Sequence, residues 1–560
     1  MVPADVVFTG GPVFLGRGLP RRGLAVAVEG GRVSAVAPEA DAEALAGPRT
    51  RRVDLDGALL SPSFQDAHAH PLGAGLEMLQ CDLSEAGSAH DTVRLIREYA
   101  LANPEEPWIL GGGWSMDHFA GGAPARVLLD EAVGDRPVIL SSRDHHSAWA
   151  STAAIRAAGV DAGTPDPQDG RIEREPDGFP QGTFHEGAER LFDAVRPQVS
   201  EEQAYAGLLK AQDELLSLGI TGWQDAWVGE GFCGIPDVDA LYRRAVREGS
   251  LVAHVRGAQW WRRDLGMEQI DGMVARRASA EAEGMSPQYV PGTVKIMVDG
   301  VAENHTAAML TPYHDHSGHA TENRGLSFID PQQLGSIVTA LDAAGFQVHF
   351  HALGDRAVRE SLDAVQAARE TNGPSGNRHH LAHLQMVDEA DVPRFAEVDA
   401  TANIQALWAC HEEQLDALTL PFLREGAVQR HYPFGDLQRA GAELAAGSDW
   451  PVSSADPLQA LHTAVNRRTP GSDLPMLGGE TQALDVATML AAYTSGSARV
   501  NHRERDTGSI AAGRLADLVV IAPDPFAVPA EQLHTVRVRS TWVKGELVHG
   551  DTFVATKGEA

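Results

Sequence analysis

Leu59-Leu-Ser-Pro-Ser-Phe64-Gln-Asp66-Ala-His68-Ala-His70 is an apolar run that ends in two histidines spaced i and i+2. In a strand those two side chains project from one face. Side by side, two imidazoles can seat one divalent ion. The competing explanation is a chance pair on a half-exposed strand, since the chain holds 23 histidines.

Working outward, the same form recurs. Phe346-Gln-Val-His-Phe-His351 ends an apolar run and is followed by a turn into a helical stretch, and Arg378-His-His-Leu-Ala-His383 repeats it. Ala445-Ala-Gly-Ser-Asp449 puts a carboxylate at a strand end, and Val294-Lys295-Ile-Met-Val-Asp299 buries a lysine in an apolar strand. A lysine there is costly unless it is modified or paired, with Asp299 or Asp225 as the partner. Between these runs lie Ala- and Leu-rich helical stretches such as Glu202 to Ser217, Pro331 to Ala344 and Arg356 to Arg369. Strand–helix alternation of this length predicts a parallel α/β barrel, whose C-terminal strand ends build the site. Four histidines and an aspartate converging there make an N/O donor set suited to zinc or a similar ion.

The two ends of the chain read differently. Asp5-Val-Val-Phe, Leu24-Ala-Val-Ala-Val and Arg52-Val-Asp-Leu near the start are short β-type runs separated by glycine turns. Ala516-Asp-Leu-Val-Val-Ile-Ala and Val536-Arg-Val-Arg match them near the end. Neither end has the apolar surface to fold alone, so residues 1–60 and 503–560 are expected to form one composite β-sandwich. The barrel is then 61–502, interrupted at about 77–190 by a loop-rich insertion.

Composition sets the surroundings. With 46 Lys+Arg against 77 Asp+Glu the 560-residue chain carries a formal charge of −31. No basic field recruits nucleic acid or an anionic membrane. Cys81, Cys233 and Cys410 are far apart, which argues against a disulfide framework. The first residues lack a signal-peptide pattern and no run is long and apolar enough to span a bilayer, so a cytoplasmic location is expected.

Taken together, the motifs resemble the amidohydrolase superfamily, and within it amidohydrolase family 3, the YtcJ-like metal-dependent hydrolases. The resemblance rests on Asp66-Ala-His-Ala-His70, Trp108-Ile-Leu-Gly-Gly-Gly-Trp114, Asp144-His-His-Ser147, Gly219-Ile-Thr-Gly222, Lys295-Ile-Met-Val-Asp-Gly300, His351-Ala-Leu-Gly-Asp-Arg356, His383-Leu-Gln385, Gly447-Ser-Asp-Trp-Pro-Val452 and Gly513-Arg-Leu-Ala-Asp-Leu-Val-Val520. They run through nearly the whole chain in order. The resemblance implies a TIM-like (β/α)8 barrel with a composite sandwich, in agreement with the reading from the residues.

It also implies roles. His68 and His70 hold one metal ion with Asp449, His351 and His383 hold a second, and Lys295, N-carboxylated, bridges them. Asp449 acts as general base and then acid. His146, selected over His145 by the D-x-H-S pattern, faces substrate, and His146 or His383 stabilises the oxyanion. Glu186 and Asp225 are further candidates for the pocket, with a solvated or capping role as the ordinary alternative. One departure is Pro62-Ser-Phe-Gln65, where relatives often show Pro-Gly-Phe-Ile; a slight shift of the first strand is expected from it.

The implied reaction is hydrolysis of an amide, formamide or carbamate-type C–N bond of a small molecule, with zinc as the expected metal. A mononuclear deaminase or cyclic amidine or lactam hydrolase, with Lys295 unmodified, is the alternative; a non-catalytic scaffold would have lost ligands that are all present here. Trp114, Trp149, Trp408 and Trp450 lie in or beside the motifs, suiting an aryl or apolar substrate if they line the pocket and ordinary core packing if they do not. No organic cofactor motif appears, and a homodimer is a family habit.

Overall fold

The computed structural model describes residues 3–229, 234–424 and 426–551, so Cys233 lies outside the described residues. Eight strands in parallel register form the centre: β1 (Phe64–Ala69), β2 (Ile220–Val228), β3 (His254–Trp260), β4 (Tyr289–Met297), β5 (Gln347–Ala352), β6 (His380–His383), β7 (Thr401–Ile404) and β8 (Glu443–Ala446). Consecutive strands are neighbours throughout. The ring closes past the last strand, where Ala69 bridges Trp450 and the Asp449 amide donates to the His68 carbonyl. Nearly every residue of these strands is buried, as both faces are covered by side chains or helices.

The strand carrying His68 is pinned from both sides. The Asp66 carboxylate accepts from the Ser448 hydroxyl at 2.6 Å and from the His68 amide at 2.8 Å, tying β1 to the segment after β8. Gln65 is fully buried with its side-chain amide unpaired, and it lies over Gly222, where a Cβ would sit 2.4 Å from Gln65 Oε1. The β1–β2 register is irregular between Ile220 and Gly222, beside the departure at Gln65.

The ends of the chain form two four-stranded sheets. One pairs Val6–Thr9, Leu24–Glu29, Arg32–Pro38 and Arg51–Asp54; the other pairs Leu518–Ala522, Arg537–Val543 and Glu546–Gly550 with Leu59–Pro62. They share one core, in which Phe8 meets Trp542 edge to face at 5.1 Å. Leu59–Pro62 runs antiparallel to Leu518–Ala522 and leads directly into β1.

The stretch at 77–190, expected to be loop-rich, is a sheet of six short strands with helices Ala89–Ala102, Arg126–Val133 and Thr152–Ala157. Its strands are too short and glycine-broken to show a pattern. Gly111 (φ +156°) and Gly113 (φ +91°) let Ile109–Trp114 approach Cys81 and Ser84 so closely that a Cβ at Gly111 would meet the Cys81 carbonyl at 2.2 Å. Trp114 and Trp149 are fully buried in the core of this sheet, so for them the pocket-lining expectation is corrected to packing. The sheet hangs the turn 143–146 over the barrel mouth. Val301 and Glu303 after β4, and Leu407, Trp408 and Glu412 after β7, also line the space at that end. Cys81 and Cys410 are buried free thiols, both pushed up to about 12 by burial. Among the described residues no helix is long and apolar enough to cross a membrane.

Candidate metal centre

Each expected ligand comes from a strand end, and all face the same mouth. His68 and His70 follow the alternation of β1, with their Nε2 atoms 3.3 Å apart. Asp449 Oδ1 stands 3.0 Å from His68 Nε2 and 3.1 Å from His70 Nε2, and its Oδ2 lies 3.8 Å from His383 Nδ1. His383 and His351 have ring centroids 4.5 Å apart, and Lys295 Nζ lies 3.3 Å from His68 Nε2. Asp449 (φ +58°) and His383 (φ +80°) both hold positive φ, backbone strain at the positions that aim these side chains inward.

The donors are poised for a cation. His68, His383 and Asp449 can each offer an atom within 4.8 Å of the others. Neither ring nitrogen of His383, nor Asp449 Oδ1, nor His351 Nδ1 makes a hydrogen bond, although all are buried. Buried polar atoms are rarely left so. Burial pushes His68 down to about 3 and holds His351 and His383 well below the ordinary value, so the imidazoles are neutral and able to bind a cation. Burial opposes ionisation of Asp449, but the surrounding imidazoles outweigh it and keep its carboxyl well below the usual range. Neutral imidazoles with a carboxylate fit zinc or a similar ion.

Neither carboxylate considered as a partner for Lys295 takes that role. Asp299 accepts from the Ala308, Leu353 and Gly354 amides and faces His351 Nδ1 at 3.3 Å, while Asp225 accepts from Tyr242 and the Trp227 amide. Burial pushes the Lys295 amine down to about 7.

Below the ligands runs a network absent from the sequence reading. His68 Nδ1 lies 2.9 Å from His349 Nε2, His349 Nδ1 lies 2.8 Å from Gln224 Oε1, and His380 Nε2 meets the same oxygen at 3.0 Å. Such a chain fixes which nitrogen of His68 faces the mouth. Its signal was the i, i+2 spacing of His349 and His351, the same as that of His68 and His70.

His146 reaches the mouth from the insertion. Its Nδ1 is 3.0 Å from Glu186 Oε2, and Glu186 Oε1 accepts from Thr306 at 2.9 Å. Burial opposes the charge on His146, but Glu186, with Asp144 and Glu189 beyond it, pushes it up to about 10. His145 lines the mouth as well, with its Nε2 3.3 Å from Glu77 Oε1.

The centre lies where two chambers meet; Asp144, His146, His351, His383, Asp449 and Val452 line both. One chamber is walled by Trp227 and Trp260, stacked in parallel at 3.7 Å, and by Phe328. Sequence reading missed this wall, because each tryptophan ends a strand outside the motifs. Trp408 and Trp450 line the other chamber, and Trp408 stacks on His383.

The model of the amidohydrolase family matches residues 51–549. YtcJ of Bacillus subtilis (strain 168) is 28% identical over 516 residues, covering 90% of this chain and 91% of that one. The N-substituted formamide deformylase of Arthrobacter pascens is 27% identical over 543 residues, 93% of this chain and 94% of that one. Among solved structures, an uncharacterized metal-dependent hydrolase from Pyrococcus horikoshii superposes with a TM-score of 0.71 at 23% identity, covering 94% of this chain and 99% of that one.

Proposed function

The chain belongs to the amidohydrolase family, and from that premise we propose that it cleaves a C–N bond of a small amide, formamide or carbamate, with zinc at the barrel mouth. The observation that carries the reading is the set of buried, unpaired donors on His351, His383 and Asp449 gathered beside His68. His68, His70 and Asp449 would hold one ion, and His351 and His383 a second, with Lys295 N-carboxylated between them. A buried amine near neutrality has an unprotonated fraction able to attack carbon dioxide, and the resulting carbamate is an anion among ligands of a cation. Bound there, such ions supply hydroxide at neutral pH and polarise an acyl oxygen.

This chain's own groups do the rest. Asp449, within reach of His68, His70 and His383, accepts the proton of the attacking water and passes it to the leaving nitrogen. His146, kept charged by Glu186, presents its other nitrogen to the mouth as a donor to the acyl oxygen. Trp227 and Trp260 take a flat apolar group and shield the reacting bond from bulk water. That the formamide deformylase of Arthrobacter pascens aligns along most of both chains supports a small N-substituted amide.

The compactness of His68, His383 and Asp449 favours a second reading with one ion and an unmodified Lys295. Elemental analysis of protein purified without added metal separates the two. About two equivalents of zinc per chain supports the first reading, about one the second, and none, with no gain on adding zinc, overturns both.

A further inference from the structure

The chamber opposite the tryptophan wall is acidic out of proportion to an ordinary pocket. It is the larger of the two, and among the described residues nine carboxylates line it against two cations, Arg143 and the charged His146. Glu303 comes from the segment after β4, Glu412 from the segment after β7, and Glu77 from the helix after β1, so three separate segments converge. Glu303 is held by the Thr419 hydroxyl at 3.0 Å, which fixes it without neutralising it. Burial pushes Glu412 up to about 7, with Glu303 adding to it and Arg143 opposing, and Glu77 up to about 8, with Asp82 adding. Carboxylates crowded in this way compete for protons, and a cation among them relieves that competition.

An independent observation points to the same ligand. Gln385, two residues beyond His383, is 2% exposed and lines this chamber, yet its Oε1 has no hydrogen-bond partner. A buried acceptor left unpaired costs free energy until a donor arrives. Carboxylates and an amide oxygen are all acceptors. The ligand they lack is a donor with positive charge, and the chamber opens onto the metal centre through the six residues it shares with the aromatic one.

We propose that the substrate is a two-ended amide, with a flat apolar group against Trp227 and Trp260 and a protonated amine, amidine or guanidine among Glu303, Glu412 and Gln385. This rests on the hydrolase reading for the bond that is cut, but the charge preference is a binding property and is tested without turnover.

The test is titration calorimetry on the metal-loaded full chain with three probes of one shape: 4-phenylbutylammonium, 4-phenylbutanol and 4-phenylbutanoate. The ammonium is expected to bind about tenfold more tightly than the alcohol, with the carboxylate weakest. Glu303→Gln, and separately Glu412→Gln, should each remove most of that advantage and leave alcohol binding unchanged; thermal melting shows which variants are folded, and either one suffices. Equal binding of alcohol and ammonium, tighter binding of the carboxylate, or no ammonium binding at millimolar concentration overturns the proposal. A protein that prefers the ammonium but hydrolyses no amide keeps this inference and loses the proposed activity; the reverse pattern does the opposite.

Discussion

Asp449 Oδ1 stands 3.0 Å from His68 Nε2, across the seam where the last barrel strand meets the first. Two residues 381 positions apart in sequence thus share one point in space, and the closure of the barrel is the same event as the assembly of the site. The Ser448 hydroxyl on Asp66 locks that seam one residue away.

Replacing Asp449 by Asn keeps the shape and removes the proton carrier. A kcat loss of about 10²–10⁴-fold is expected, with the fold and part of the metal retained. Steady-state rates beside elemental analysis check this, and full activity would remove Asp449 from the chemistry.

The His146–Glu186 pair sets a pH limit. With its value raised to about 10, His146 is protonated throughout the neutral range and loses its charge as pH rises through that value. Activity that needs the charge should fall on the alkaline side there. Glu186→Gln removes the nearest anion while Asp144 and Glu189 remain, so the alkaline limb should move down by about one unit or more. Profiles of kcat/KM against pH that coincide for the two proteins would refute the role.

For Lys295 the decisive readings are mass and metal. Mild intact-mass measurement should show the increment of one carboxyl group, lost on acidification. Lys295→Ala should bind less metal and lose about a hundredfold or more in kcat, partly restored by added short carboxylic acids. An unmodified lysine with full metal content would favour the one-ion reading.

Two pairs of tryptophans should behave oppositely. Trp227→Ala or Trp260→Ala should raise KM for an aryl substrate about tenfold with little change in thermal stability. Trp114→Ala, in the core of the inserted sheet, should cost about 3–5 kcal/mol of stability and leave KM unchanged in the protein that remains folded. Melting curves beside kinetics distinguish them.

What could be read from the sequence follows from range. His68, His70, His351, His383 and Asp449 announced themselves because each closes an apolar run, and a strand end is a local property. The sandwich was legible in the β-type texture of both termini. Glu303 and Glu412 were not, since each is an ordinary acid in a segment without periodicity and gains meaning only where the fold brings both to one chamber. Trp227 and Trp260 face each other only because β2 and β3 are adjacent. The inserted sheet escaped notice because Gly111 and Gly113, which permit its close packing, read as loop residues.

The strand Leu59–Pro62 lies against Leu518–Ala522, and β1 follows it without a break. During synthesis, then, the strand that leads into His68 leaves the ribosome more than 450 residues before its partner Leu518–Ala522. Domains commonly fold as they emerge, but here the edge at Leu59 and Ser61 stays open over more than 450 residues of translation. A chain that stalls before Leu518 leaves that apolar edge bare, so the nascent protein, more than the finished one, is where a chaperone would be needed.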